Sequence, residues 1–278
     1  MSKKEKGYKN YYKIQYIFHP LILNLNIFFF YMENNYQTKP FVALSHRGNS
    51  KDFVENSFEA FRSVVDMGFE YIETDLRKTL DEEIIAFHDS DLKRLFNVDL
   101  KVENLTFKEI DEFFSAQNCK LLTLKEALIN FPETKFNIDL KIKSVIGESI
   151  RIVKELKAFE RVCFASFNSS HTDEVLKYNP KAIVSMGVKD VTYFKFFNFL
   201  RKNSKILQVP LSWKGINIVN SKLIQKAKDK DLLIHVWTIN NKETITELIK
   251  MGVHGIVTDE PNLIMDIMKE KNLIFSKT

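Results

Sequence analysis

Short apolar runs alternate with amphipathic stretches from about residue 40 to the end of the chain. Runs rich in Val, Ile, Phe and Leu that end in polar residues predict β-strands, and apolar residues at helical spacing predict helices between them. One such helical stretch places Phe58, Phe61 and Val64 on one face. The predicted strands are Val42–Ser45, Tyr71–Lys78, Ile84–His88, Phe136–Ile142, Val162–Phe167, Ile183–Val188, Ile206–Leu211, Leu233–Ile239 and Gly255–Thr258.

Alternating strands and helices predict a parallel sheet, and eight of the nine strands fit a (β/α)8 TIM barrel. The link through Asp81-Glu82 is too short for a crossover helix, so Ile84–His88 is predicted to form a β-hairpin excursion after the second strand. A doubly wound open sheet fits the same periodicity. Residues 41–278 are interpreted as one domain, and residues 90–120, the least regular part, are expected to cap the barrel mouth.

The composition narrows the classes of function. The chain has 278 residues and a net charge of +5, but its first 31 residues hold five lysines and one acid. The remainder carries 36 basic and 35 acidic residues and no basic tract, so nucleic-acid binding is not expected. The two cysteines, Cys119 and Cys163, are too few for a disulfide framework and are compatible with a reducing compartment.

Residues 1–40 are interpreted as a leader, within which residues 16–31 form an apolar run after a lysine-rich start. Three interpretations stay open for it: a disordered or misassigned start, with Met32 as the true first residue; an uncleaved membrane anchor; and a cleaved signal. Pro20 and polar residues interrupt the run, which is also shorter than a spanning helix of ~20 residues. We therefore favour a cytoplasmic protein, with a membrane-anchored one as the alternative.

Chemistry-bearing residues follow the first two strands. His46-Arg47-Gly48 ends the first strand, and the carboxyl ends of parallel strands are where sites form in α/β folds. Glu73 and Asp75 are two residues apart and share one face of the second strand. If that face is the barrel interior, a divalent cation such as Mg²⁺ or Ca²⁺ would relieve their repulsion; if it is solvent, they are ordinary surface acids.

Further candidates lie at two more strand ends. His88-Asp89 ends the hairpin's second strand, where the histidine could face the first one across the rim. Asp139 and Lys141 share a face of another strand and offer a third carboxylate and a cation.

Together these residues form an ordered set that resembles the glycerophosphodiester phosphodiesterase family from about residue 41 to about residue 262. The set continues with Glu55-Asn56-Ser57, Trp237-Thr238 and Thr258-Asp259-Glu260-Pro261. The resemblance implies a TIM barrel that hydrolyses glycerophosphodiesters to sn-glycerol 3-phosphate and an alcohol with a divalent cation. It implies His46 and His88 as the acid–base pair, Glu73, Asp75 and Asp139 as metal ligands, Arg47 and Lys141 as phosphate-binding residues, and Trp237 as a substrate-pocket residue.

Three features depart from the family pattern: Asp139 replaces a more usual Glu, Asp81-Glu82 replaces a more usual Asp-Gly turn, and residues 90–120 match poorly. The family pattern also leaves two other functions open, a lysophospholipase D-type enzyme and a non-catalytic barrel that only binds phosphodiesters. The sequence does not reveal the oligomeric state.

Overall fold

The computed structural model describes residues 36–200 and 204–273, and eight parallel strands form a barrel within them. The described strands are β1 (Val42–His46), β2 (Tyr71–Lys78), β3 (Ile84–Ala86), β4 (Lys135–Leu140), β5 (Val162–Ala165), β6 (Ile183–Val184), β7 (Ile206–Pro210), β8 (Ser212–Trp213), β9 (Ile216–Asn217), β10 (Leu233–Trp237) and β11 (Gly255–Thr258). The neighbours around the barrel run β6-β5-β4-β2-β1-β11-β10-β7, and a parallel bridge from Ser185 to Ile206 joins the two ends of this order. The TIM-barrel prediction is therefore confirmed, and the doubly wound alternative is wrong.

Helices surround the barrel, and their apolar faces pack on the outer faces of its strands. Side-chain caps start several of them: Ser57 accepts from the backbone N–H of Ala60, and Thr106 and Thr123 form reciprocal capping boxes. The described α-helices are α1 (Phe58–Asp66), α2 (Lys93–Phe96), α3 (Phe107–Ser115), α4 (Leu124–Asn130), α5 (Ile146–Glu155), α6 (Ser169–Tyr178), α7 (Val188–Phe197), α8 (Ser221–Lys228), α9 (Lys242–Met251) and α10 (Pro261–Glu270).

The hairpin predicted after the second strand is present. β3 pairs antiparallel with β2, with Leu76 opposite Ala86. Glu82 in the turn adopts φ +67°, a left-handed conformation that glycine adopts more easily. The side chain of Lys78 binds the Glu82 carboxylate at 2.6 Å, which helps to hold the turn.

The segment after the hairpin has a hydrophobic core of its own. Leu92, Ile110 and Phe114 are fully buried and pack with Ile85 and Phe87 of the hairpin's second arm. Residues 90–120 are therefore a folded flank that is anchored on the hairpin.

The amino-terminal end of the barrel is closed by residues that precede β1. The Tyr71 hydroxyl donates to the Tyr36 carbonyl at 2.7 Å, and Gln37 Nε2 donates to the His254 carbonyl at 2.9 Å. His235 Nε2 lies 2.8 Å from Gln37 Oε1, which fixes this ring nitrogen as the donor. His235 is a packed core histidine, and the packed domain includes Tyr36 and Gln37, five residues before the boundary that the sequence suggested.

The remainder of the predicted leader, residues 1–35, lies outside the described residues, so the three interpretations of it and the cytoplasmic location stay predictions. Within the described ranges, no helix combines the length and apolar character needed to cross a bilayer.

Two histidines at this end of the barrel contribute stability that is lost in acid. Burial lowers the pKa of His235 to about 3 and that of His254 to about 4. Both are neutral when folded, whereas the unfolded chain binds protons below about pH 6.5, so stability is full above that pH and is lost as pH falls. Between pH 7 and pH 5 we expect each of these two histidines to contribute a loss of about 2 kcal/mol to the free energy of unfolding, measured by urea denaturation as the difference between the wild type and a variant without that histidine.

A matched variant isolates one of these groups. The Nδ1 atom of His254 accepts a hydrogen bond from the Ile234 backbone N–H, and an asparagine can offer the same acceptor without titrating. The His254→Asn variant should therefore lose about half of this pH sensitivity. An unchanged slope between pH 7 and pH 5 would contradict the prediction.

Candidate active site

The carboxyl ends of the barrel strands surround one cavity of about 270 Å³. All the predicted site residues face this cavity: His46, Arg47, Glu73, Asp75, His88, Asp139, Lys141 and Trp237. None of its described lining residues comes from residues 90–120, but the start of that segment lines an adjoining cavity that shares His88 and Lys141 with it. The segment predicted to cap the mouth therefore borders it on one side.

The first motif forms a sharp turn at the end of β1. Arg47 adopts φ +62°, and two backbone hydrogen bonds hold it there, from its N–H to the Glu73 carbonyl and from the Asn56 N–H to its own carbonyl. Gly48 adopts φ +81°, and a Cβ at this position would lie 2.7 Å from the backbone of Ala60. A glycine is required here because both the backbone conformation and the approach of α1 exclude a side chain.

His46 is held between two carboxylates. Its Nδ1 lies 2.6 Å from Asp259 Oδ1, and its Nε2 lies 3.8 Å from Glu73 Oε2. Burial acts to lower the pKa of His46, but the hydrogen bond to Asp259 and the charge of Glu73 outweigh it and raise that pKa. Asn240 Nδ2 in turn donates to Asp259 Oδ2 at 2.8 Å, so the partner carboxylate is itself fixed.

The second motif points into the barrel, which settles the alternative that the sequence left open. Glu73 and Asp75 are 8% and 1% exposed. Burial, and then the charge of Asp75, raise the pKa of Glu73. Burial also opposes ionisation of Asp75, but Lys141 and Arg47 outweigh it and lower the pKa of Asp75.

The two strand carboxylates fit a divalent cation. Glu73 Oε2 and Asp75 Oδ2 are buried and have no hydrogen-bond partner. Mg²⁺ is commonly bound by one or two carboxylates together with waters and substrate phosphate. No group of three or more His, Cys, Asp or Glu side chains within residues 36–200 and 204–273 is arranged to hold a metal ion. The fit therefore rests on this pair of carboxylates.

Two cations lie against the same carboxylates. Lys141 Nζ lies 2.8 Å from Asp75 Oδ1 and 2.6 Å from Asp139 Oδ2, so the predicted third ligand is paired with the lysine. Arg47 Nε lies 3.0 Å from Asp75 Oδ2 in a charge contact without hydrogen-bond geometry, and its Nη1 donates to Glu55 at 3.0 Å. The cavity therefore combines a fixed guanidinium and an ammonium with a carboxylate cluster.

His88 lines the cavity together with His46 and has its own carboxylate. Its Nδ1 lies 2.6 Å from Asp89 Oδ1. Burial lowers the pKa of His88, and the charges of Lys141 and Arg47 act in the same direction. In each histidine, a carboxylate at Nδ1 thus orients the ring, and Nε2 points away from that carboxylate.

The other side of the cavity is apolar. Phe167 packs between two tryptophans, with ring centroids 5.5 Å from Trp237 and 6.3 Å from Trp213. Met186 and Ile218 extend this wall. Trp213 lies in the β8–β9 hairpin, whose two-residue strands are too short to be predicted from periodicity.

Sequence reasoning did not give two of the contacts that shape the site. Asp259 belongs to the ordered motif set, but the motif by itself assigns it no function. Its position directly after a strand end is the sequence signal for a site residue. Arg94, which binds both Glu55 and Asp89, lies outside the motifs of the sequence. Its only sequence signal is an arginine six residues after His88.

The chain matches the model of the glycerophosphoryl diester phosphodiesterase family over residues 46–263. It is 27% identical to a glycerophosphodiester phosphodiesterase of Caldanaerobacter subterraneus subsp. tengcongensis, over 82% of this chain and 98% of that protein. It is 23% identical to a lysophospholipase D of Mus musculus, over 81% of this chain and 85% of that protein.

Two solved structures share the fold. A glycerophosphodiester phosphodiesterase of Thermotoga maritima superposes with a TM-score of 0.66 at 27% identity, over 82% of this chain and 98% of that one. A phosphodiesterase of Oleispira antarctica, solved in complex with the product sn-glycerol-3-phosphate, superposes with a TM-score of 0.67 at 17% identity, over 82% and 96% of the two chains.

Proposed function

The chain belongs to the glycerophosphoryl diester phosphodiesterase family, and from this premise we propose that it hydrolyses glycerophosphodiesters to sn-glycerol 3-phosphate and an alcohol by His46/His88 acid–base catalysis with a divalent cation. The name of the Caldanaerobacter relative and the product bound by the Oleispira enzyme support this substrate class. One observation carries the proposal: two histidines, each oriented by a carboxylate, face the same cavity as two cations.

A phosphodiester is an anion that repels an incoming nucleophile, and its charge increases as the leaving oxygen departs. Arg47 and Lys141 are the residues that would bind its phosphoryl oxygens and stabilise this charge. They are already ordered by Asp75, which contacts both. Little reorganisation is then needed when substrate binds, which is how a preorganised site lowers a barrier.

The two histidines supply the proton transfers. One accepts the proton of the glycerol hydroxyl that attacks phosphorus, and the other protonates the departing alcohol oxygen, which leaves a cyclic glycerol phosphate. Water then opens the ring with the two roles reversed, so the histidines end in their starting protonation states. An imidazole titrates near 6.5, so both roles are accessible near neutral pH.

Glu73 and Asp75, with Asp139 beside them, are the residues that would hold the cation. A bound Mg²⁺ or Ca²⁺ supplies Lewis-acid stabilisation of negative charge on oxygen. Glu73 Oε2 and Asp75 Oδ2, two buried oxygens without a hydrogen-bond partner, are the observation that supports this assignment.

The test of the main proposal is release of glycerol 3-phosphate from a panel of glycerophosphodiesters that differ in the alcohol. We expect release that EDTA abolishes and that Mg²⁺ or Ca²⁺ restores. Binding of the same substrates without release from any panel member would instead support the non-catalytic barrel.

A lysophospholipase D-type activity is a second candidate, and the apolar wall favours it. Phe167 and Trp213 line the cavity and are 48% and 43% exposed, so the wall continues to the surface, where an acyl chain could lie. Relatives named lysophospholipase D point the same way.

The Trp213→Ala variant separates the two candidates. If an acyl chain lies on this wall, we expect the variant to lose about 10-fold in kcat/KM for lysophosphatidylcholine and less than about 2-fold for glycerophosphocholine, because only the first substrate buries apolar surface there. Ile129→Ala is the matched control, since Ile129 is 53% exposed and does not line the cavity. Equal losses on both substrates would argue against an acyl-chain site.

A further inference from the structure

Arg94 links the two halves of the candidate site from outside the barrel. It lies on α2, in the flank that the family resemblance matches poorly. Its Nε donates to Asp89 Oδ2 at 2.6 Å, and its Nη1 and Nη2 donate to the two oxygens of Glu55 at 2.9 and 2.6 Å. One guanidinium therefore uses its whole donor fork on two carboxylates that belong to different motifs.

Each of these carboxylates holds a residue that faces the cavity. Asp89 uses its other oxygen on His88 Nδ1, at 2.6 Å, and Glu55 accepts from Arg47 Nη1 at 3.0 Å. Arg94 thus lies one carboxylate away from the proposed acid–base histidine and one carboxylate away from the proposed phosphate-binding arginine.

The arrangement differs from an ordinary surface ion pair. The side chain of Glu55 is only 9% exposed, and it is shared by two arginines in hydrogen-bond geometry. Burial alone would raise the pKa of Asp89, but the hydrogen bonds from His88 and Arg94 outweigh it and lower that pKa. Exposed pairs contribute little because both partners are free to move. Arg94 is itself 48% exposed, but the carboxylates of Glu55 and Asp89 that it binds are only 9% and 21% exposed and are also held by Arg47 and His88.

The backbone around Arg94 holds it in place. Leu92 is fully buried in the flank's core, and the ring of Phe96 packs 5.3 Å from that of Phe114. Leu92, the N-cap of α2, and Phe96 at its end flank Arg94 and anchor the helix on the flank's core. The segment that is least regular in the sequence thus carries a side chain with a defined place at the site.

We propose that Arg94 is a positioning residue that sets the orientation of His88 through Asp89 and that of Arg47 through Glu55. This proposal rests on the function proposed above. It makes residues 90–120 a support for the proposed catalytic residues: Arg94 does not line the main cavity but lines the adjoining one, together with His88 and Lys141.

Arg94 acts through two arms, the ion pair with Asp89 and the ion pair with Glu55, and their losses should affect different kinetic constants. Loss of the Asp89 arm misplaces the proton-transfer group and lowers kcat, whereas loss of the Glu55 arm loosens the phosphate-binding arginine and raises KM. We expect Arg94→Gln to lower kcat by about 10-fold and to raise KM several-fold on glycerophosphocholine. Arg94→Lys keeps the charge but not the fork, so it should recover only part of the loss.

Double-mutant cycles test this assignment. In an Asp89→Asn background, Arg94→Gln should raise KM but lower kcat by less than about 2-fold further, because the route to His88 is already lost. In a Glu55→Gln background, it should lower kcat with KM nearly unchanged. Additive effects in both backgrounds would overturn the proposal.

Arg151→Gln is the matched control, because this 56%-exposed arginine also binds two carboxylates, Glu148 and Glu155, away from the site. A variant of Arg94 that lowers the melting temperature but leaves kcat and KM unchanged would show that Arg94 only stabilises the fold, and would contradict the proposal.

Calorimetry with inorganic phosphate tests the Glu55 arm without turnover. Arg94→Gln should weaken phosphate binding several-fold, because Glu55 then holds Arg47 less firmly. Unchanged phosphate binding would count against the Glu55 arm. Absence of glycerophosphodiester hydrolysis in the wild-type protein would refute the proposed function separately.

Discussion

We expect His46→Ala and His88→Ala each to lose about 100-fold or more of kcat for glycerophosphocholine hydrolysis while the protein stays folded. Each variant removes one of the two proposed proton-transfer groups and leaves the other in place. Both histidine side chains line the cavity, where water can occupy the space that truncation leaves. For His46, the partner Asp259 also keeps its hydrogen bond from Asn240.

The measurements are steady-state kinetics and the unfolding midpoint of each variant. His254→Ala is the control, because this histidine lies at the opposite end of the barrel and should affect stability but not turnover. Near-wild-type turnover in either cavity variant would remove that histidine from the mechanism.

The barrel could be predicted because its evidence is local. Each strand is a short apolar run, and a connection of a few residues such as Asp81-Glu82 cannot contain a crossover helix. Elements without a local pattern were missed. The β8–β9 hairpin has strands of only two residues each. Tyr36 and Gln37 are buried because they close the amino-terminal end of the barrel, which no local sequence pattern shows.

The direction of the Glu73/Asp75 face could not be predicted, and the reason is physical. β2 is buried on both faces: Ile72 and Leu76 pack outward against the helix layer, while Glu73 and Asp75 point inward. Both alternatives at the sequence level place one face of this strand in solvent, and period-2 alternation does not show which face that is. Only the closed barrel excludes the solvent-facing alternative.

The partners of the site residues were beyond the sequence because they are distant in the chain. His46 and Asp259 are 213 positions apart, and Arg94 and Glu55 are 39 apart. Strand ends predict which residues meet at the barrel mouth, but the pairing depends on strand order and on the fold of residues 90–120. The ion pair between Lys141 and Asp75 likewise joins the end of β4 to β2 and depends on the order of the strands in the barrel.

Asp75→Asn is expected to lower kcat/KM by about 100-fold or more, because Asp75 has three functions at the centre of the site. It lies within 3.0 Å of both Arg47 and Lys141, and its Oδ2 is one of the two buried oxygens without a hydrogen-bond partner that are proposed for the cation. The asparagine amide has nearly the same shape and volume as the carboxylate, but it has no negative charge to pair with Arg47 or Lys141. Both the phosphate-binding residues and the cation should therefore be affected.

Asp139→Asn is the informative comparison. Its carboxylate is paired with Lys141, and that lysine keeps Asp75 when Asp139 is neutralised. We expect a loss of only about 10-fold in kcat/KM and a modest loss of Mg²⁺ affinity, measured by calorimetry. Asp75→Asn should instead abolish measurable cation binding. Equal losses of Mg²⁺ affinity in the two variants would show that Asp139 is a ligand of the same rank, as the family resemblance implies, and that the cation site is not centred on Glu73 and Asp75 alone.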